Sequence, residues 1–140
     1  MIAIDTNILV YAHRSDSPKN EAASSALIRA SRTRWAIPWP CVHEFLAVTT
    51  HPIIFDPPSP IVDATRTIAG WYDSRTLRFI GESADYWPTL ESLILKSEVC
   101  GPRVNDARIA AICIQHGVSE LWTADRDFRR FSSLKTVNPL

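Results

Sequence analysis

The segment Ile2-Ala3-Ile4-Asp5-Thr6-Asn7-Ile8-Leu9-Val10-Tyr11 decides how the chain is read. Three apolar residues make a short buried strand, and Asp5 stops it. Thr6 or Asn7 then starts a helix through Ile8, Leu9, Val10 and Tyr11. The same alternation recurs downstream. Trp35-Ala36-Ile37 reads as a second strand, and Pro40 opens a helix that carries Val42, Phe45, Leu46 and Val48 around Glu44. Leu77-Arg78-Phe79-Ile80 is a third strand, followed by a helix from Ser83 to Ser97. After the break at Gly101-Pro102, Asn105 caps a helix that begins at Asp106 and is closed by Gly117. Glu120-Leu121-Trp122-Thr123 is a fourth strand, with Asp125 just past it. Asp127 caps a short helix over Phe128–Phe131, and Lys135-Thr136-Val137 is a final edge strand.

Two more helices fill the gaps. Ser15-Asp16-Ser17-Pro18 is a start signal, with Asp16 or Ser17 as cap and Ala22, Ala23, Ala26, Leu27 and Ala30 as the apolar stripe. The other helix runs from about Ser59 to Asp73. Before it, His51–Pro60 holds four prolines and reads as an irregular excursion. Strands alternating with helices over short links predict an α/β fold, a mostly parallel sheet covered on both faces.

The chain has 140 residues, 46% hydrophobic and 21% charged, which predicts one globular domain over residues 1–140 with no need of a metal or disulfide staple. Fifteen basic residues balance fifteen acidic ones, so any attraction for nucleic acid has to come from local clustering. Cys41, Cys100 and Cys113 form no C-x-x-C pair and suit a reducing compartment. The opening residues carry no secretory signal, and the longest apolar run, Ile109–Ile114, is far short of the ~20 residues that span a bilayer. A cytoplasmic location without membrane association is expected.

In open parallel sheets, ligands sit beyond the carboxyl ends of the strands. Asp5 and Asp125 occupy such places, Asp106 begins a helix, and Glu44 lies early in another. Two carboxylates about 4 Å apart repel by roughly 4 kcal/mol at an effective dielectric near 20, so four gathered acids call for a cation. Hard oxygen donors without a His or Cys pair select Mg²⁺ or Mn²⁺ over zinc. Such ions activate water and neutralise charge at phosphorus, which points to phosphodiester hydrolysis. Each acid also has an ordinary structural role open to it: a strand-ending turn for Asp5, a snorkelling side chain for Glu44, a dipole-offsetting first-turn acid for Asp106, a helix cap for Asp127.

At these residues the chain resembles the PIN-domain family, and within it the VapC-type ribonuclease toxins of toxin–antitoxin pairs. The resemblance rests on Ile4-Asp5-Thr6-Asn7-Ile8-Leu9-Val10-Tyr11, on Glu44, and on Asn105-Asp106-Ala107-Arg108-Ile109-Ala110-Ala111. It extends to Leu121-Trp122-Thr123-Ala124-Asp125-Arg126-Asp127-Phe128 and to the ending Val137-Asn138-Pro139-Leu140. It implies a three-layer α/β/α fold and an Mg²⁺-dependent endoribonuclease, with Mn²⁺ as a substitute. By position, Asp5 and Asp106 look like the main metal ligands. Glu44 and Asp125 look like further ligands or orienters of the attacking water. Thr6 and Asn7 would brace the first acid and Thr123 the fourth, with Asp127 in a supporting place. A VapB-type antitoxin and a homodimer are implied as partners beside the RNA substrate.

Arg103, Arg108, Arg126, Arg129 and Arg130 lie near Asp106 or Asp125 in sequence. They are read either as phosphate binders along an RNA groove or as residues that are solvated or paired with Asp127 and Glu120. Trp35, Trp71 and Trp122 are expected in the core and Trp39 at the surface. His43 is read as a helix-surface residue beside Glu44, and Cys100 and Cys113 as small core residues.

Other classes fit less well. A haloacid-dehalogenase phosphatase needs D-x-D after the first strand, but position 7 is Asn. A Toprim nuclease lacks its upstream strand-ending glutamate, and a phosphate-receiver domain lacks the acidic pair and late lysine. The remaining alternative is a catalytically inactive PIN-like module that holds RNA or a protein without cutting it.

Overall fold

The computed structural model describes all 140 residues. In chain order the elements are β1 (Ile2–Ile4), α1 (Thr6–His13), α2 (Asn20–Ser31), β2 (Trp35–Pro38) and α3 (Trp39–Thr49). Then come α4 (Ile61–Tyr72), β3 (Leu77–Ile80), α5 (Tyr86–Ser97), α6 (Arg103–Gln115), β4 (Glu120–Trp122) and β5 (Thr136–Val137). A short 3₁₀ turn over Arg126–Arg130 lies between the last two strands. The strands form one sheet in the order β3-β2-β1-β4-β5, every pair parallel. The parallel sheet expected from the alternation is therefore present, within the α/β fold that the resemblance implies.

That strand order positions the site. The chain winds from β1 outward through β2 to β3, then returns to lay β4 against the other side of β1. Winding reverses between β1 and β4, and at such a point the loops leaving the two strands diverge and open a crevice. Asp5 follows β1, and Thr123 and Asp125 follow β4.

The reason these residues make these elements is burial. Ala3, Ile4, Ala36, Ile37 and Leu121 are fully buried, as a sheet covered on both faces requires. One continuous core of 31 buried residues includes Ile8 and Leu9 of α1, Phe45 of α3, and Ala107, Ala110, Ala111, Ile112 and Cys113 of α6. Helix α1 packs on α2 and α3, α3 packs on α4, and α5 packs on α6.

Several helix starts differ from their expectation. Asp5 itself, not Thr6 or Asn7, is the N-cap of α1, and its side chain accepts from the Thr6 amide. Asp16 does not cap α2, because Arg14 holds its carboxylate at 2.8 Å, and the helix begins at Asn20. Helix α6 begins at Arg103 rather than Asp106, because Pro102 already supplies the φ of a first turn. Asn105 and Asp106 therefore lie inside that turn. The 3₁₀ turn is capped by Asp125, which accepts from the Asp127 amide at 2.8 Å, so Asp127 is not the cap. Cys100 is exposed rather than in the core.

Candidate active site

Asp5 is held from four directions. Its Oδ1 accepts from the Thr6 amide at 2.8 Å and from the Cys41 thiol at 3.8 Å. Its Oδ2 accepts from Asn7 Nδ2 and from the Thr123 hydroxyl, both at 2.6 Å. Asn7 also donates to Thr123 Oγ1 at 3.0 Å and accepts from the Ala124 amide at 3.0 Å. The short polar run after β1 is thereby stitched to the run after β4. Thr123 braces the first acid by its hydroxyl, and it meets the fourth only by accepting from the Asp125 amide at 2.9 Å.

Burial dominates the electrostatics of Asp5. Loss of water pushes its pKa up to about 6, the hydrogen bonds from Thr123 and Thr6 oppose this, and the charges of Glu44 and Asp106 add to it. Asp106 is also raised, first by burial, then by Asp125 and Glu44, against the pull of Arg103. In both, burial leads and the neighbouring carboxylates add to it. Beneath Asp5, burial holds the Cys41 thiol well above its usual range, so Cys41 is a protonated donor and not a thiolate ligand.

Glu44 reaches the same place from α3. Its Oε2 accepts from Thr6 Oγ1 at 2.6 Å. One cleft of about 380 Å³ is lined by Asp5, Glu44, Asp106 and Asp125 together. Its other wall is apolar: Val10, Tyr11, Val48, Ile54, Phe55, Ile109 and Phe128. The acids stand around this cleft rather than converging on one point, for no three His, Cys, Asp or Glu side chains are gathered closely enough to grip a metal ion as they stand. Their donor set, carboxylate oxygens with hydroxyl and amide neighbours, fits a hard divalent cation such as Mg²⁺ or Mn²⁺.

Asp127 is not among the residues lining this cleft. It pairs with Arg103, which also donates to Asp106 Oδ2 at 3.2 Å and lies 3.8 Å from Asp125 Oδ2. Arg103 is thus tied to acids rather than free along a groove. Arg108 is paired with Glu82 at 2.6 Å. Arg126, Arg129 and Arg130 make no ion pair. His43 is exposed beside Glu44, and Trp39 stacks on Phe79 with 4.8 Å between ring centroids while keeping 38% of its surface exposed.

Three features of the site escape a reading of the sequence. Cys41 under Asp5 carries no local signal. Pairing of Arg103 with Asp127 is one of the two readings the sequence leaves open, but its contact with Asp106 follows only once α6 is known to start there, which sets the two three positions apart on one helix face. Ile54 and Phe55 come from the proline-rich excursion, whose fold back onto the cleft is fixed by distant contacts. Arg14 lies over the Phe55 ring at 4.3 Å.

The chain matches known proteins over nearly its whole length. The family model described as PIN domain matches residues 2–134. Ribonuclease VapC48 of Mycobacterium tuberculosis is 28% identical over 137 residues, covering 96% of this chain and 94% of the relative. Ribonuclease VapC25 of the same organism is 28% identical over 150 residues, covering 99% of both. Among solved structures, VapBC2 from Rickettsia felis bound to a promoter DNA fragment superposes with a TM-score of 0.72 at 21% identity, covering 99% of this chain and 98% of the other. The sarcin-ricin-loop-cleaving toxin VapC20 of Mycobacterium tuberculosis gives 0.70 at 14% identity, covering 92% and 93%.

Proposed function

Because the chain belongs to the PIN-domain family, we propose that it is a metal-dependent endoribonuclease, the VapC-type toxin of a toxin–antitoxin pair. The observation that carries this reading is the single cleft shared by Asp5, Glu44, Asp106 and Asp125, which come from four separate elements or their ends. Kinship with curated ribonucleases of nearly equal length supports it.

Asp5 and Asp106 would hold Mg²⁺ or Mn²⁺, with Glu44 and Asp125 as further ligands or as acceptors for the attacking water. When bound, the ion would neutralise these carboxylates, polarise the phosphodiester and make water a better nucleophile. Thr6, Asn7 and Thr123 fix the orientation of Asp5, so its oxygens need not reorganise when the ion enters. Thr6 also turns Glu44 toward the same cleft. The apolar wall formed by Val48, Ile54 and Phe55 offers contact to sugar and base while the acids face the phosphate.

The same kinship leads us to propose a VapB-type antitoxin and a second copy of the chain as partners. Four exposed apolar residues, Ile53, Ile54, Ile61 and Val62, provide surface for protein contact. A cytoplasmic location follows as part of the proposal; no helix is long and apolar enough to cross a membrane.

The test is direct. Purified chain is expected to cut structured RNA with Mg²⁺ or Mn²⁺, to stop in EDTA, and to lose the activity in Asp5→Asn with circular dichroism unchanged. Undiminished cutting by Asp5→Asn or Asp106→Asn overturns the assigned roles. Binding of RNA with no cutting by the wild-type chain in either metal favours the inactive binding module instead.

A further inference from the structure

The five acids near the cleft fall into two corners that share one member. Asp5 and Glu44, joined through Thr6, line the cleft with Asp106 and form the first. Asp106, Asp125 and Asp127 form the second, and this corner already holds a cation. One guanidinium nitrogen of Arg103 donates to Asp106 at 3.2 Å and lies 3.8 Å from Asp125. The other pairs with Asp127. Both terminal nitrogens are committed, and all three carboxylates around them come from the elements that bound the cleft.

The sequence builds this arrangement locally. Gly101, at φ +56°, turns the chain into Pro102, and α6 starts at once with Arg103. Arg103 and Asp106 then share one face of the first turn. Asp125 and Asp127 are brought opposite them by the 3₁₀ turn after β4. The first corner has no equivalent: no Lys or Arg pairs with Asp5 or Glu44.

We propose that Arg103 is a resident cation of the cleft, so that the site takes one divalent ion, at the Asp5–Glu44–Asp106 corner, and not two. This rests on the nuclease reading above and gives it a metal count. Asp5, Glu44 and Asp106 would hold the ion, and Arg103 would stay paired with Asp127 and near Asp125. The guanidinium then presents a fixed positive charge to a phosphate beside the ion, the service that a second ion would otherwise give. It acts by position and charge, and Lys can replace the charge but not the two-nitrogen fork.

The experiment is a calorimetric titration of the full metal-free chain with Mn²⁺, without RNA, on wild type, Arg103→Gln and Arg103→Lys, with thermal melts of each. Wild type is expected to bind one ion and Arg103→Lys one ion. Arg103→Gln is expected to bind a second ion, or to bind the first at least about tenfold more tightly, because a unit charge a few ångströms away acts strongly on a doubly charged ion. Two ions in wild type overturn the proposal, as does an Arg103→Gln titration that superposes on wild type. If Arg103→Gln does not fold, the wild-type count decides. RNA assayed in parallel separates the two claims: cutting with two bound ions sinks the resident cation and leaves the nuclease reading, and one ion in wild type with two in Arg103→Gln but no cutting does the reverse.

Discussion

Asp5 sets the energetics of the whole cleft because it is a nearly waterless carboxylate with no basic partner. Its pKa, about 6 in the fold, lies above its ordinary value of 3.8. The native state therefore binds the proton more tightly than the unfolded chain does. The resulting stabilisation is fully present below about pH 3.8 and is lost as pH rises through 6, by up to about 3 kcal/mol. Urea melts in EDTA between pH 4.5 and 7.5 are expected to show this decline, Asp5→Asn to flatten it, and Mn²⁺ at pH 7.5 to recover the missing stability. Thr123 is the next residue to test. Its hydroxyl opposes the burial penalty, so Thr123→Val is expected to weaken Mn²⁺ binding by about 10–100-fold, read by calorimetry. The acids themselves are legible in the sequence, since each sits just after a strand or early in a helix. Their bracing is legible only in part: Thr6 and Asn7 are neighbours of Asp5, whereas Thr123 reaches it across 118 positions.

Among the elements, α6 shows how a helix end fixes side chains elsewhere. Its C-terminus closes with Gly117 at φ +63°, whose amide bonds Ile114 at 3.1 Å while the Val118 amide bonds Cys113 at 3.0 Å. The second bond requires the left-handed turn at Gly117, so Gly117→Ala is expected to cost about 1 kcal/mol in thermal denaturation, with RNA cleavage per folded molecule unchanged. Gly117 is readable as a stop because few other residues tolerate that backbone. The opposite end misleads, since Asn105-Asp106 has the composition of a cap and yet lies inside the first turn. Cap-forming residues are equally good first-turn residues, and Pro102 decides between the two. The proline-rich excursion is legible as irregular chain. Its contribution to the cleft is not, because Phe55 is seated by Arg14 of another segment.

At the scale of the molecule, the charge balance is zero, and what matters is where the unpaired arginines lie. Arg126, Arg129 and Arg130 follow directly on Asp125 and make no ion pair, unlike Arg103 and Arg108. Arg126→Ala with Arg130→Ala is expected to weaken binding of a single-stranded RNA and to lower the slope of log affinity against log salt by about 0.7 for each phosphate no longer neutralised. Filter binding at several salt concentrations measures this; an unchanged slope excludes both from the groove. Fold class comes through at this scale because short alternating segments leave a parallel sheet as the economical solution. Strand order does not, since nothing local says that β4 pairs with β1 rather than β3.

That pairing has a bearing on how the protein is made. The hydroxyl that grips Asp5 belongs to residue 123, and the strand that carries it docks against residues 2 to 4. A ribosome that has synthesised the first hundred residues has produced Asp5 and Glu44 but neither Asp106 nor the strand that completes the crevice. Every product of translation interrupted there therefore lacks the finished blade, and competence arrives only once β4 and the threonine behind it have emerged.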